Sequence, residues 1–476
     1  MRTAGDIRNE NQKGGFWNFI DRIEGDKVVW IIVFLLTMIS ALAIFSSTSQ
    51  LAGGSKDRLD LMAEHALFIF GGYVLMLLIS RIRSMKTFNW IAQGCFLLSF
   101  VALLLLDLHV DWGVIRAEKI NKAWRTLNIF GFQFHVFEFV KIAMVMYLAW
   151  ALNSYRLDQE AAAGKKPSPT FGIINRMAKS FEFLKKPVWK RIIYLYAPVV
   201  IVTVMVKPGS NSSMILIGGI SLLILMIGRM PLREILLIIT SGVAVIGLCM
   251  GIYFASGKTV FEDMRFEELL SRFEVDYSIE RLIEIENDPQ TGKESKEWYK
   301  VRDEIKQPYS AMIAIHEGGF KGKGSGNSTQ KYVVPHIYSD YMFSFIIEEY
   351  GLLMAVLVLI LYVSLLARGS MIAKLCSDDF AKYAVGGLTL LISGQAFLHI
   401  FVNVGIGPMT GQTLPLISDG SFAFLMFCVA FGVIISISRI ARNRIREEEE
   451  AAAPLYESEK DDVQVAMDVL EQIDNN

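Results

Sequence analysis

Long apolar runs divide this 476-residue chain and limit what it can fold into. A helix needs about 20 apolar residues to cross the hydrocarbon core of a bilayer, and only helices and closed barrels satisfy their backbone polar groups there. Ten runs are near that length: residues 28–48, 63–81, 89–107, 136–153, 192–206, 211–228, 233–255, 341–367, 383–406 and 420–440. With 53% hydrophobic residues, the sequence predicts an all-α polytopic membrane protein with about ten transmembrane helices.

Basic residues are concentrated on one side of the predicted bundle. Nine lysines and arginines lie in the loop 154–191, and basic turns also follow the second run, precede the seventh and follow the tenth. Because cytoplasmic loops carry an excess of Lys and Arg, this distribution predicts a multi-pass protein of the cytoplasmic (inner) membrane with both termini in the cytoplasm. Two long segments, 108–135 and 256–340, then lie outside, the second between helices 7 and 8.

Two polar segments flank the predicted membrane domain, 28–446. The leader 1–27 contains GFWNFIDRI, whose apolar residues at helical spacing predict a short interfacial helix; a polar leader with a few aromatics is the alternative. The tail 447–476 begins with acidic residues and is expected to be a disordered or partner-binding cytoplasmic segment. Within the large outer loop, residues 258–306 hold 14 acidic and 9 basic side chains, which predicts surface helices or a mobile insertion.

The four cysteines indicate neither a disulfide framework nor a zinc site. Cys95, Cys249 and Cys428 lie inside apolar runs, Cys376 lies in a basic loop, and no C-x-x-C spacing occurs. We expect no nucleic-acid partner and no organic cofactor.

Glycine and lysine alternate in GGFKGKGSGNSTQK, residues 318–331. Glycines expose backbone N–H groups, and Lys321 and Lys323 add positive charge, so this loop can hold an anion such as a pyrophosphate. The spacing is not that of a Walker loop. A flexible linker remains the alternative explanation of this composition.

Charged residues also occur within or beside the apolar runs. Glu138 and Lys141 lie three residues apart in FEFVKIAM, where opposite charges neutralise each other inside a bundle or line a wet cavity as an acid and a base. Arg125 lies just before this run, on the outer side, where it can meet a phosphate.

The eighth run begins with HIYSDYMFSFIIEEYG, which contains three carboxylates. Asp340 either caps the helix or acts as a base at the boundary between membrane and water. Glu348 lies about 80° around a continuous helix from Asp340 and roughly 12 Å deeper, too far to share a proton. We expect Glu348 and Glu349 to contact a partner helix or water inside the bundle.

Glycines and prolines interrupt the apolar pattern in NVGIGPMTGQTLPLISDGSFAFL, residues 403–425. Irregular backbone at membrane depth is tolerated only where protein or a water-filled cavity satisfies it. The segment therefore predicts a re-entrant or tightly folded loop that closes the outer side of a cavity.

Taken together, these segments resemble the SEDS family of peptidoglycan polymerases, which includes RodA and FtsW. The resemblance covers about 28–446 and implies a SEDS-type bundle with a large extracytoplasmic loop. Glu138 and Lys141 match the family pattern F-x-F-Q-P-S-E-x-x-K, and Asp340 matches the aspartate of H-T-D-F-I-F-A-x-x-x-E-E-L-G. The sequence GPMTGQTLPLISDG is similar to P-x-T-G-x-x-L-P-x-x-S-x-G-G.

The chain also departs from the family pattern. Where the family has Q-P-D-x-G-T, this chain has VKPGSNSS, so Gly209 replaces an acid. The sequence around Asp340 and the glycine-rich loop resemble those of the division branch, FtsW, more than those of RodA. They are similar to FtsW sequences from the Bacteroidetes group.

The resemblance implies a glycosyltransferase that polymerises lipid II on the periplasmic side of the membrane. The 4-hydroxyl of an acceptor N-acetylglucosamine attacks the anomeric carbon of a donor N-acetylmuramic acid, and undecaprenyl pyrophosphate leaves with inversion. Asp340 falls on the aspartate that the family regards as catalytic. The residues expected to bind substrate are Arg125, Glu138, Lys141, Lys321, Lys323, His336 and Ser418.

The same resemblance implies cofactors and partners. A divalent cation, Mg²⁺ or Mn²⁺, can bridge Asp340 and the pyrophosphate. The expected partners are lipid II, membrane lipids, a single-pass class B penicillin-binding protein and other divisome membrane proteins. Two alternatives remain open at this point: a transporter that flips lipid II, which should show paired broken helices, and a divisome scaffold without catalytic activity.

Overall fold

The computed structural model describes residues 25–47, 58–120, 123–162, 186–257, 283–287, 295–334, 337–406 and 410–474. The predicted interfacial helix at 15–23 and His336 lie outside these ranges, as do much of the basic loop 154–191 and of the acidic insertion 258–306. What is described confirms an all-α membrane bundle.

Eleven main helices follow one another along the described residues. They are α1 Lys27–Ser47, α2 Arg58–Ser80, α3 Met85–Asp107, α4 Val136–Ala162, α5 Pro187–Val206, α6 Asn211–Ile227, α7 Leu232–Ala255, α8 Lys296–Gly318, α9 Met342–Leu375, α10 Asp379–Asn403 and α11 Ser421–Asp474. Nine are long and apolar enough to cross a membrane, and α6 is a shorter apolar helix. Within the described ranges, these ten agree with the ten predicted spans, whereas α8 belongs to the outer loop.

Helices α4, α10 and α11 form the centre of the bundle. Helix α4 packs against α3, α6 and α10, helix α10 also packs against α9, and α11 packs against α2. Side chains such as Leu148, Leu388 and Phe431 are fully buried at these contacts. By contrast, α7 buries only Ile235 and Tyr253, and its leucines are exposed. Its length and its exposed apolar surface fit a membrane-spanning helix.

A small antiparallel sheet, not predicted from the sequence, occupies the outer segment between α3 and α4. Its strands are β1 Ile115–Ile120, β2 Ala123–Ile129 and β3 Phe132–His135, in the order β1, β2, β3. Thr126 pairs with His135, and β3 continues directly into α4. The sheet therefore holds Arg125, on β2, beside the first turn of α4.

The eighth apolar run, 341–367, is not one continuous helix as the sequence suggested. Helix α9 breaks at Gly351, where φ is 78°. Chain segments 318–324 and 347–352 cross there, with backbone hydrogen bonds from Lys323 N to Glu348 O (2.8 Å) and from Leu352 N to Gly319 O (3.0 Å). A Cβ on Gly351 would lie 2.4 Å from Phe320 O. Glycine is required because two backbones meet.

The acidic tail, expected to be disordered or partner-binding, is helical. Helix α11 continues past the candidate membrane span, Ser421–Glu448, through Asp474. Residues 447–453 have the sequence EEEEAAA, and alanine and glutamate are strong helix formers. A helix that is already formed by the preceding apolar run can therefore extend through them.

Candidate functional site

A cavity of about 480 Å³ lies where β2, β3 and the first turns of α4, α6 and α11 meet the loop 410–420. It is lined by Phe68, Arg125, Phe132, Gln133, His135, Phe137, Glu138, Ser210, Ser213, Ser339, Gly411, Gln412, Thr413, Asp419, Gly420, Ser421, Phe422, Ala423 and Leu425. The loop predicted to close the outer side of a cavity does line this one. The walls combine aromatic rings with charged and hydroxyl groups.

Arg125 and Glu138 bring opposite charges to the cavity wall. Arg125 Nε donates to Gly209 O at 3.1 Å. A Cβ on Gly209 would lie 2.5 Å from Trp124 O and 2.2 Å from Cζ of Phe137. No side chain fits at position 209, which explains why this chain has glycine where the family pattern has an acid.

Lys141 lies behind Glu138 and does not line the cavity. Its ammonium is buried and lies 2.7 Å from the Glu138 carboxylate. It also donates to Gln395 Oε1 (2.8 Å) and Gln412 Oε1 (3.2 Å), and Gln412 in turn donates to Ser213 Oγ (3.1 Å). Buried charge is tolerated when it is paired and hydrogen-bonded. The pair is therefore neutralised within the bundle, and only its acid, Glu138, lines the cavity.

Asp340 ends a single helical turn, Ile337–Asp340, that precedes α9. It is half-buried and does not cap α9, whose N-cap position is Tyr341. Its Oδ1 accepts a hydrogen bond from Ser339 Oγ at 3.0 Å. Its Oδ2 would lie 3.7 Å from a Cβ on Gly411, so the carboxylate lies beside a residue of the cavity wall.

Ser418 fixes the turn that carries Asp340. The Ser418 hydroxyl donates to Ser339 O (2.8 Å) and accepts from Leu414 N (2.9 Å). The next residue, Asp419, donates its N–H to Tyr338 O at 2.9 Å. Ser418 is buried and does not line the cavity. Its role in this structure is to position the turn that carries Asp340.

The glycine and lysine loop 318–331 is held by the two glutamates of α9. Glu348 accepts hydrogen bonds from Ser328 Oγ (2.5 Å), Thr329 N (2.8 Å) and Lys323 Nζ (2.8 Å). Glu349 accepts from Ser46 Oγ on α1 at 2.6 Å. These contacts exclude a free linker for the described loop, and they show what the buried glutamates bind.

The two loop lysines have different environments. Lys323 forms ion pairs with Glu317 and Glu348, so carboxylates already balance its charge. Lys321 is exposed.

Three residues at or near the cavity were not predicted from the sequence: Gln395, Gln412 and Asp419. For Gln395 there was a signal, because a polar side chain inside the ninth apolar run is unusual.

Asp419 is a second carboxylate at the cavity. Burial, followed by the charge of Glu64, raises the pKa of Asp419 above its ordinary value of 3.8. Burial and then the charges of Asp419 and Asp340 raise the pKa of Tyr338, so both carboxylates lie near this phenol. Asp419 and Arg125 therefore line the same cavity, with Asp340 close by.

The raised pKa of Asp419 predicts a pH-dependent stability. A carboxyl that binds its proton more tightly in the folded state loses stability as pH rises from the unfolded pKa through the raised folded value. We expect Asp419→Asn to remove this decline and to raise the thermal unfolding midpoint at neutral pH. Unfolding of both proteins in detergent from about pH 4 to about pH 8 measures the effect. If the unfolding midpoints of the two proteins changed in parallel with pH, the predicted contribution of Asp419 would be wrong.

Among the residues that the structure describes, no group of three or more His, Cys, Asp or Glu side chains is arranged to hold a metal ion. Mg²⁺, however, is commonly bound by one or two carboxylates together with substrate phosphates and water. Asp340, with the Ser339 hydroxyl beside it, offers one such carboxylate.

Comparison with known proteins identifies relatives of the whole membrane domain. The model of the FtsW/RodA/SpoVE family, described as cell cycle proteins, matches residues 26–443. The probable peptidoglycan glycosyltransferase FtsW of Xanthomonas oryzae pv. oryzae is 26% identical over 424 residues, which cover 88% of this chain and 74% of the relative. The peptidoglycan glycosyltransferase MrdB of Escherichia coli K12 is 26% identical over 436 residues, which cover 90% and 96%.

Solved structures show the same fold. The rod shape determining protein RodA of Thermus thermophilus superposes with a TM-score of 0.52 at 16% identity, covering 88% of this chain and 98% of RodA. A chain of a peptidoglycan synthase complex that coordinates polymerization and crosslinking gives a TM-score of 0.52 at 18% identity, covering 88% and 98%. Since the family model spans most of the sequence and the bundle matches RodA, this protein belongs to the FtsW/RodA/SpoVE family.

Proposed function

We propose that the chain is a peptidoglycan glycosyltransferase that polymerises lipid II into glycan strands. The observation that carries this proposal is the cavity lined by Arg125, Glu138, Ser339 and several phenylalanines, with the Asp340 carboxylate beside the wall residue Gly411. Relatives named as peptidoglycan glycosyltransferases, which match nearly the whole membrane domain, support it.

Asp340 is the proposed general base. Its carboxylate takes the proton of the acceptor 4-hydroxyl while the oxygen attacks the anomeric carbon of the donor, and the bond to undecaprenyl pyrophosphate breaks on the opposite face. One displacement inverts the anomeric configuration. The Ser339 hydroxyl, 3.0 Å from Asp340 Oδ1, orients the carboxylate.

Arg125 is the proposed partner of the departing pyrophosphate. A cation held where negative charge develops stabilises the transition state. The Gly209 carbonyl fixes the Arg125 Nε, and the Lys141 network keeps Glu138 in place beside it. Lys321, exposed on the outer loop, is a further proposed phosphate contact, and Lys323 joins it when its carboxylate partners are exchanged for phosphate.

A divalent cation, Mg²⁺ or Mn²⁺, is part of this proposal. Asp340 is the residue that would hold the cation, and a bound cation would neutralise pyrophosphate charge.

We also propose a single-pass class B penicillin-binding protein as partner and a role in cell division with other divisome proteins. The proposed site is periplasmic, and both termini are cytoplasmic. A structural relative from a peptidoglycan synthase complex and the basic cytoplasmic turns support these assignments.

A polymerisation assay with a matched pair of arginine variants tests the function. We expect Arg125→Gln to slow glycan formation roughly 100-fold, because it removes a cation from the cavity. Arg116→Gln, on the neighbouring strand β1, should not, since Arg116 pairs with Asp111 at the surface. Purified protein with its transpeptidase and labelled lipid II, followed by gel separation of strands, gives the rates.

The alternatives predict different results in the same experiment. A transporter would move labelled lipid II across vesicle membranes without forming strands, and a scaffold would do neither. Equal rates for the two arginine variants would remove Arg125 from the reaction while leaving the glycosyltransferase assignment to stand on the wild-type product.

A further inference from the structure

A second cavity, of about 880 Å³, lies at the other end of the bundle. It is lined by Leu152, Tyr155, Arg156, Gln159, Ile227, Gly228, Arg229, Met230, Leu366, Ser370, Ala373, Lys374, Asp379, Lys382, Tyr383, Gly386, Thr389 and Leu390. On α4, 17 residues separate Glu138 from Tyr155, which is about 26 Å along a helix. This space is therefore separate from the proposed catalytic cavity, and we call it the basic cavity.

Three helices each present one face to the basic cavity. On α4 the lining residues recur at spacings of three and four, beginning at Leu152 and ending at Gln159. Helix α9 contributes Leu366 to Lys374, and α10 contributes Asp379 to Leu390, with the same periodicity. The turn between α6 and α7 closes the remaining side. The basic cavity is thus a property of the packed bundle and not of one mobile loop.

Positive charge exceeds negative charge on these walls. Arg156 and Lys382 both form ion pairs with Asp379, the one carboxylate among the lining residues. Arg229 and Lys374 are exposed, and neither pairs with a carboxylate within the described part of the chain. Two cations therefore remain for an external anion.

The backbone of the turn supports a specific role for Arg229. Its φ of 55° lies in the left-handed region, which costs a residue other than glycine, asparagine or aspartate about 1 kcal/mol or more. The neighbouring Gly228 could adopt this conformation freely, yet the arginine occupies it. In this conformation Arg229 lines the basic cavity.

Part of the remaining wall is apolar, and part carries hydroxyl and amide groups such as those of Gln159, Ser370 and Thr389. The apolar part consists of Leu152, Ile227, Met230, Leu366 and Leu390, so the cations adjoin a hydrophobic space. At Gly386 an added Cβ would meet nothing within 4 Å, which shows that the space reaches the surface of α10. A ligand that fits both parts has an anionic head and a hydrocarbon chain.

We propose that the basic cavity binds the headgroup of an anionic phospholipid from the cytoplasmic leaflet. Basic pockets between transmembrane helices on the cytoplasmic side are suited to phosphate headgroups, and anionic lipids are enriched there. Arg229 and Lys374 contact the phosphate, and an acyl chain lies along the leucines. A soluble phosphate compound shares the headgroup chemistry but leaves the apolar wall uncovered. The site is independent of the proposed transferase function.

Ligand-dependent thermal stability of the purified full-length protein in neutral detergent tests this site. Dioctanoyl phosphatidylglycerol should raise the unfolding midpoint saturably, whereas dioctanoyl phosphatidylcholine should require at least about tenfold more lipid, because a specific ligand of the folded state stabilises by mass action. Inorganic phosphate and glycerol 3-phosphate distinguish a free anion from a lipid. If either saturates at the same concentration as phosphatidylglycerol, the lipid assignment is wrong.

Variants locate the effect. Arg229→Gln with Lys374→Gln should weaken phosphatidylglycerol binding at least about tenfold, and Arg229→Lys with Lys374→Arg should retain it. Gly386→Leu fills the space without changing charge and should also prevent binding. Arg83→Gln with Lys86→Gln, exposed on another basic turn, is the matched control and should bind like wild type. If the control and the cavity variants lose binding equally, or neither loses it, the proposal is overturned.

Discussion

Replacing Asp340 by asparagine is expected to lower glycan polymerisation by about 100- to 10,000-fold, the range that a general base contributes. The amide has nearly the same shape and still accepts the hydrogen bond from Ser339, but it cannot take the proton of the acceptor hydroxyl. The bundle should therefore remain folded, with an unchanged thermal unfolding midpoint and unchanged association with the transpeptidase.

Strand formation from labelled lipid II measures this loss. The matched control is Asp111→Asn, which removes an exposed carboxylate from the outer segment beside β1 and should polymerise like wild type. Wild-type rates for Asp340→Asn would remove this carboxylate from the chemistry. A base also predicts that wild-type activity falls at acidic pH and that the residual activity of Asp340→Asn does not follow the same profile.

The second large effect is expected at the crossing between the outer loop and α9. A Cβ on Gly322 would lie 2.3 Å from Glu349 O and 2.5 Å from Gly351 N, and its φ is 77°. Neither contact can be relieved by a side-chain rotation, because both involve backbone. Overpacking costs about 1–3 kcal/mol and the left-handed conformation about 1–2 kcal/mol, so Gly322→Ala should destabilise the protein by roughly 3 kcal/mol.

Gly326→Ala separates the two causes. Gly326 has a similar φ of 86°, but an added Cβ meets nothing within 4 Å. This variant should lose only the backbone part, about 1 kcal/mol. Thermal unfolding midpoints of wild type and both variants under one condition make the comparison. Equal losses for Gly322→Ala and Gly326→Ala would show that the close contact carries no cost.

The helices could be predicted because each must satisfy its backbone within the bilayer. The fifth run was predicted to start at residue 192, but α5 starts at Pro187. The charged residues of its first turn interrupt the apolar pattern from which the start was predicted. Lys190 pairs with Asp158 at 2.6 Å and Arg191 with Glu234 at 2.5 Å, so these cations are neutralised by partners far along the chain. Such partners belong to the tertiary structure and leave no local pattern.

The residues of the candidate site were predicted only in part, because some of them have a local sequence pattern and others depend on tertiary contacts. Glu138 and Lys141 have a spacing that shows in the sequence, whereas Gln412 and the β-sheet around Arg125 acquire their roles only through packing. The strands are 4 to 7 residues long and half-exposed, which gives too short an alternation to recognise. The break at Gly351 depends on a second backbone that crosses it.

Glu349 joins segments that lie far apart in the chain. It accepts from Ser46 on α1 and from Ser328 N in the outer loop, about two helical turns from Asp340. Tension applied to the loop is therefore transmitted to the helix that follows the proposed base. The loop is connected through α9 to the proposed catalytic turn, and a protein that binds the loop has a physical route by which to change the proposed reaction rate.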